Sequence, residues 1–194
     1  MMKKGLFFGS FNPIHNGHLE VANYFINNKL LSEITFIVTP QNPFKSKNKD
    51  QNFDKKYKAV ELATINNPKI KLSDIELKLP TPNYTCNTLR FLRTKNPGNE
   101  YVFLMGSDLL INFDKWKNYQ NILENHNLFI YPRKNEKSIP EKFIIHNKIE
   151  FFKAPFIEVS STSIREKHKN GKSIKDLVPP IVHDYLIRNK LYDL

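Results

Sequence analysis

Lys4-Gly5-Leu6-Phe7-Phe8-Gly9-Ser10-Phe11-Asn12-Pro13-Ile14-His15-Asn16-Gly17-His18 is the stretch from which the rest of the chain can be read. Lys4 to Gly9 has the length and apolar character of a strand. From Gly17, Leu19, Ala22, Ile26 and Leu30 recur at spacings of three and four, which predicts an amphipathic helix reaching Leu30. A strand passing through a short loop into a helix is the opening unit of an open parallel sheet, and such sheets gather ligands where strands end and loops leave in opposite directions. Gly9 and Gly17 let the backbone come close to a ligand. His15 and His18, three residues apart, can turn both imidazoles toward one anion, and the helix start adds N–H groups and a positive dipole end. That arrangement suits phosphates that gain charge in a transition state. A zinc pair is the alternative, but two histidines lack a third ligand and no Cys, Asp or second His pair stands nearby.

Outward from this unit, apolar runs alternate with helical spacing. Ile34 to Val38 predicts a second strand, Pro40 to Asn52 a mobile loop, and Tyr57, Val60 and Ala63 a helix broken at Asn66-Asn67-Pro68. Ile70 to Leu79 reads as a short strand or two. Thr85, Leu89 and Leu92 mark a helix face, and Tyr101 to Met105 is a central strand apolar on both sides. Further strands are expected at Leu128 to Tyr131 and Ile149 to Phe152, with helices at Ser161 to Lys169 and Pro180 to Asn189. No repeat or linker divides the chain. The pattern predicts one α/β domain over residues 1–194, a doubly wound, Rossmann-like parallel sheet flanked by helices.

Composition narrows the classes of function. Cys86 is the only cysteine among 194 residues, which excludes an internal disulfide or a CxxC pair and favours a reducing compartment. No stretch approaches the roughly 20 apolar residues of a membrane span, and the apolar start meets Asn12-Pro13 before any signal-peptide core can form, so a cytoplasmic protein is expected. A net charge of +11 invites a nucleic-acid reading. The lysines are scattered, often beside asparagine and without interleaved aromatics, so they read instead as a solvated surface that attracts small polyanions.

Two further segments carry chemistry. In Val159-Ser160-Ser161-Thr162-Ser163-Ile164-Arg165, Ser161 or Thr162 can cap a helix and hold phosphate oxygens, and Arg165 adds a forked permanent charge one turn on. In Met105-Gly106-Ser107-Asp108, the glycine allows a planar base to pack on the backbone and Asp108 can accept from a ribose; alternatively Ser107 or Asp108 merely caps a helix. Trp116, the single tryptophan, is either core or a platform for a second base.

On these residues the chain resembles the nucleotidyltransferase superfamily marked by H-x-G-H and by S-S-T-x-[IL]-R. Over its whole length it is similar to the bacterial nicotinate-nucleotide adenylyltransferases, through Gly9 to His18, Thr39 to Lys45, Tyr84 to Leu89, Gly106 to Trp116, Val159 to Arg165 and the tail from Val178 to Tyr192. The resemblance implies that AMP passes from ATP to nicotinate mononucleotide, in NAD biosynthesis. It implies ATP phosphates, with magnesium, at His15, His18, Ser161, Thr162 and Arg165, beside Gly9, Ser10 and Phe11, with His15, His18 and Arg165 catalytic. Adenosine would meet Gly106 and Asp108. Lys45, Thr85, Trp116 and Arg133 would belong to the pyridine-nucleotide side, with no metal held by protein side chains. Phe8 stands where many relatives carry glycine, Asn12 replaces a frequent aspartate, and Asn87 replaces the aspartate of Y-T-x-D-T. Sibling enzymes acting on nicotinamide mononucleotide, phosphopantetheine, FMN or glycerol phosphate are the nearest rivals. Class I aminoacyl-tRNA synthetases share the H-x-G-H logic but are much longer and carry a lysine-rich loop missing here. Neither a nucleic-acid nor a membrane partner is expected, and the pattern leaves room for a homo-oligomer.

Overall fold

A computed structural model describes residues 3–43, 52–134 and 138–192. The chain runs through β1 (Lys4–Gly9), α1 (Asn16–Asn27), β2 (Glu33–Val38), α2 (Phe53–Thr64), β3 (Ile70–Ser73), α3 (Thr85–Lys95) and β4 (Tyr101–Gly106). It continues through α4 (Ser107–Leu110), α5 (Tyr119–Asn125), β5 (Asn127–Tyr131), α6 (Glu141–Ile144), β6 (Ile149–Phe151), α7 (Ser161–Lys169) and α8 (Pro180–Arg188). The strands form one six-stranded sheet in the order β3-β2-β1-β4-β5-β6, with every ladder parallel. β1 and β4 lie side by side, Lys4 opposite Tyr101 and Phe7 opposite Leu104, and beyond them the chain builds outward in opposite directions. A crevice therefore opens past Gly9 and Gly106.

Strand alternation sends side chains to two cores. Phe7, Phe36, Val38, Leu104 and Phe129 pack on one face with Val21 and Phe25 of α1, Val60 of α2, Ile164 of α7 and Val182 of α8. Leu6, Ile37, Phe103, Met105 and Ile130 pack on the other with Leu89 of α3, Ile122 of α5 and Phe143 of α6. No described helix is long and apolar enough to cross a membrane.

One expectation is corrected, one is narrowed and one falls largely outside the described residues. The first helix stops at Asn27, not Leu30: the Asn28 amide donates to Tyr24 O at 2.8 Å and Lys29 turns left-handed at φ 57°. Its buried stripe centres on Val21 and Phe25, with Leu19 only partly covered. Past Ser73 the segment to Leu79 is no second strand. Ser73 Oγ accepts from Ile75 N at 3.2 Å, drawing the backbone into a 3-10 turn over Ile75–Lys78. Of the expected Pro40 to Asn52 loop, residues 44–51 lie outside the described residues.

The approach from β6 to α7 crosses the start of α1 so closely that Gly17 has no room for a side chain. A Cβ there would stand 2.3 Å from Ile157 Cγ2 and 3.2 Å from Val159 Cγ1. Gly17 is thus a packing position as well as part of the histidine cavity's lining. Gly17→Ala is expected to cost about 1–3 kcal/mol and to lower Tm by roughly 3–10 °C. A thermal melt at or above the parent Tm would show that the 157–159 segment moves aside.

Candidate active site

The loop from β1 to α1 places His15 at the helix N-cap and His18 one turn in. His15 N–H donates to His18 Nδ1 at 3.2 Å, and the two rings stack with centroids 3.6 Å apart. Because Nδ1 of His18 accepts, its Nε2 carries the proton and is a donor to any anion before it. His15 is 3% exposed, and its Nδ1 has no partner among the described residues. Burial, helped by the Arg133 charge, pushes its pKa down to about 3. The pair thus offers a neutral ring packed against a fixed donor, not two cations facing one anion.

Residues far along the chain fasten this loop. Ser161 Oγ donates to Pro13 O at 2.9 Å, Arg165 Nη1 to Asn12 O at 2.6 Å, and Tyr192 Oη to Asn12 Oδ1 at 2.5 Å. Arg165 Nη2 also reaches Thr162 Oγ1 at 3.2 Å. Neither Ser161 nor Thr162 caps α7, as had been expected. Ser160 does, accepting from Ser163 N at 3.1 Å while Ser163 Oγ accepts from Ser160 N at 3.1 Å. That reciprocal cap leaves Ser161 and Thr162 on the helix's first turn, facing the histidine loop.

Phe11 has a left-handed backbone, φ 42°, held in place by a ring that is 2% exposed and stacked on Phe36. Its ring is core and shapes the loop, and the residue also lines the histidine cavity.

Arg133 departs from expectation. The resemblance implies a place on the pyridine side with Lys45, Thr85 and Trp116, whereas the side chain lines the histidine cavity. Its Nη1 donates to Ile157 O at 2.8 Å and Val159 O at 3.0 Å, which ties β5 to the approach of α7. Its backbone N–H donates to Ser107 Oγ at 2.9 Å, and that hydroxyl donates back to Arg133 O at 3.2 Å. Ser107 thereby joins the ends of β4 and β5; it is not the cap of α4, a place taken by Gly106. A Cβ on Gly106 would meet Asp108 Oδ1 at 2.5 Å and Arg133 Cγ at 2.8 Å, so the glycine admits both charged side chains.

Two cavities adjoin at the crevice. The smaller, about 280 Å³, is lined by His15, His18, Arg133, Arg165 and the Ser160–Thr162 turn. The larger, about 480 Å³, is lined by Thr39, Asn42 and Pro43 after β2, Tyr84 to Cys86 at the start of α3, Phe103, and Lys115 to Lys117. Phe7 to Ser10, Asp108, Leu109 and Tyr131 wall both. Thr85 and Trp116 thus share one cavity, while Lys45 lies outside the described residues. Trp116 is half-buried, its ring 5.5 Å from Phe113 and 6.0 Å from Phe103, so it closes the second core and lines the cavity at once. Cys86 lies at the cavity wall with its thiol pushed up by burial, a poor nucleophile.

Several residues with a part here were not singled out from sequence. Tyr131 stands in both cavities as a neutral phenol, its pKa raised first by burial and then by the Asp108 charge. Glu76, 1% exposed, accepts from Thr88 Oγ1 at 2.7 Å, and burial raises its pKa; Asn83 donates to Glu76 O at 2.8 Å. These contacts brace the start of α3 behind the larger cavity. A lone glutamate in a short turn carries no local signal of burial, whereas Tyr131 could have been found as the last residue of an apolar strand beside the crevice.

A family model described as cytidylyltransferase-like matches residues 6–167. A probable nicotinate-nucleotide adenylyltransferase of Flavobacterium psychrophilum is 49% identical over 191 residues, 98% of this chain and 99% of the relative. One of Bacteroides thetaiotaomicron is 36% identical over 199 residues, 99% of this chain and 96% of the relative. Among solved structures, the Plasmodium falciparum nicotinic acid mononucleotide adenylyltransferase complexed with NaAD matches with a TM-score of 0.81 at 21% identity, over 100% of this chain and 98% of that one. At that identity the likeness is one of fold.

The depressed His15 pKa has a consequence for stability. In the native state His15 stays unprotonated down to about pH 3, while in the unfolded chain it takes up a proton below about 6.5. As pH falls between those values the unfolded state gains a proton that the native state refuses, so stability falls with it. Between pH 7 and pH 5 the protein is expected to lose about 2 kcal/mol from this residue alone. Denaturant titrations of the parent and His15→Gln check it: the variant's stability falls less steeply with pH, and identical pH slopes would refute the buried neutral ring.

Proposed function

The chain belongs to the nicotinate-nucleotide adenylyltransferase family, and from that premise we propose how its two cavities divide the work of the reaction. The protein is an enzyme of NAD biosynthesis that transfers AMP from ATP to nicotinate mononucleotide, giving deamido-NAD and pyrophosphate. The observation that carries the division of labour is the contrast between adjoining cavities, one lined by histidines, hydroxyls and two arginines, the other by aromatic rings. The first matches a triphosphate and the second a pyridine ring; of the two residues expected to meet adenosine, Asp108 walls both cavities and Gly106 only the larger.

A 5′-phosphate oxygen of the mononucleotide attacks the α-phosphorus of ATP. The new P–O bond forms as the bond to the bridging oxygen breaks, and pyrophosphate carries the electron pair away. A phosphate monoester is mostly dianionic near neutral pH, so the attack needs no strong base. The protein's part is alignment and charge stabilisation. His18 Nε2–H and the Arg165 fork meet the phosphates, and Ser161 and Thr162 hold the turn that presents Arg165. His15, neutral and buried, braces His18 through its stacked ring and backbone N–H.

Among the described residues no group of three or more His, Cys, Asp or Glu side chains converges as a metal site. Magnesium would enter with the ATP and would neutralise charge on the triphosphate. A cytoplasmic place fits the single buried thiol.

Offered ATP and magnesium, the purified protein is expected to use nicotinate mononucleotide at least about tenfold better than nicotinamide mononucleotide in kcat/KM, a gap of roughly 1.4 kcal/mol. Dinucleotide and pyrophosphate formation measure it, and equal rates would make the enzyme dual-specific. His18→Ala is expected to lower kcat by about two to three orders of magnitude, as for loss of a donor to developing charge. A folded His18→Ala protein with parental kcat would remove His18 from the chemistry.

A further inference from the structure

Nicotinate and nicotinamide mononucleotides share a ring, a ribose and a phosphate; they differ by one unit of charge on the ring substituent. An aromatic wall holds both rings alike, so Trp116 and Phe103 contribute affinity without choosing between them. Discrimination requires a charge or a directed donor set against the substituent. Among the described residues, the charged side chains lining the larger cavity are Asp108, Lys115 and Lys117. Asp108 belongs to the wall shared with the phosphate cavity, whereas the two lysines line the larger cavity alone.

Lys117 is the better placed of the two. Its Nζ stands 4.3 Å from the centroid of the Tyr84 ring, and Tyr84 is the N-cap of α3, directly before Thr85. The ammonium is thus drawn across the cavity from the Trp116 side to the α3 side by a cation–π contact. No carboxylate among the described residues lies within ion-pair distance of it; the nearby Asp114 is taken by Lys142 at 2.9 Å. An aromatic face holds the ammonium in position without cancelling its charge. That charge is felt inside the cavity, where it works against the burial that raises the Cys86 thiol.

We propose that Lys117 sets the acid-over-amide choice, its ammonium over Tyr84 attracting the ring carboxylate of a pyridine mononucleotide that rests on Trp116. The inference rests on the assignment of the larger cavity to the acceptor. The long lysine stem lets the head group pivot from the Tyr84 face to the ligand. The amide, with no net charge, gains little from it.

The single tryptophan lies beside the residue in question, so its fluorescence reads the binding of either mononucleotide without turnover. Lys117→Gln is expected to raise the Kd for nicotinate mononucleotide about tenfold while the Kd for the amide and the KM for ATP stay within about twofold. Lys117→Arg, which keeps the charge, retains most of the preference, and Lys115→Gln leaves it nearly unchanged. Raising salt from about 50 to about 500 mM lowers the preference in the parent and not in Lys117→Gln. A folded Lys117→Gln with the parental ratio of the two Kd values, or with equal losses for both ligands, would overturn the assignment. A parent that binds the acid selectively but forms no dinucleotide would overturn the proposed reaction and leave the role of Lys117 standing.

Discussion

The loop between β1 and α1 keeps its shape because residues about 150 positions or more away hold its backbone. Ser161 and Arg165 donate to the carbonyls of Pro13 and Asn12, and Tyr192 donates to the Asn12 side chain. A loop alone pays backbone entropy for every residue it orders, and one that must present two histidines at fixed separation cannot rely on its own contacts. Here the helix that supplies the arginine and the tail that follows α8 close over it. The Asn16 amide adds a contact to Asp176 O at 3.0 Å, and Asn16 N donates to Leu177 O at 3.0 Å. The phosphate site therefore exists only once the last third of the chain has docked on the first.

That dependence explains which parts were legible in the sequence. The strands around the crevice could be read because apolar runs of five or six residues buried on both faces have no other explanation in a polar chain. Gly9 to His18 and Ser160 to Arg165 could be read because each is a compact run of residue types whose chemistry is local. What escaped was set by tertiary contact. The Ser160–Ser163 reciprocal cap is one position earlier than expected, since Ser160, Ser161, Thr162 and Ser163 are all competent caps and only the packing of α7 decides among them. Gly17 reads as room for a ligand and, although it lines the histidine cavity, it is also where Ile157 packs, which no local signal shows. Arg133 is placed on the pyridine side by the resemblance alone, since nothing local tells which way a side chain leaves the end of β5. Two carbonyls at Ile157 and Val159 hold it in the histidine cavity. Glu76 and Asn83 are polar residues in a short turn, and only the docking of α3 shows them to be buried.

Polarity is sorted across the shared wall. Among the described residues, both Lys or Arg side chains lining the histidine cavity are arginines, each with at least one hydrogen bond to backbone, so the guanidinium groups are held in fixed orientation. Neither histidine needs to be charged for the site to be positive. His15 cannot be, given its burial, and a second imidazolium stacked 3.6 Å away would repel it. The arrangement supplies permanent charge from arginine and a directed N–H from His18.

On the acceptor side the cations are lysines with long exposed stems, and the rigid elements are rings. This difference follows from what each side must do. Charge moves on the phosphates during the reaction, and donors that had to reorient at that moment would lose much of their value, so preorganisation is worth most there. The pyridine ring's substituent keeps the same charge from start to finish. A flexible ammonium that adjusts as the ligand enters costs nothing in the transition state, because it favours bound substrate and transition state equally. On the proposed division, such a contact governs which mononucleotide is admitted, while the rate of the chemical step rests with the braced groups around Gly9, His18 and Arg165.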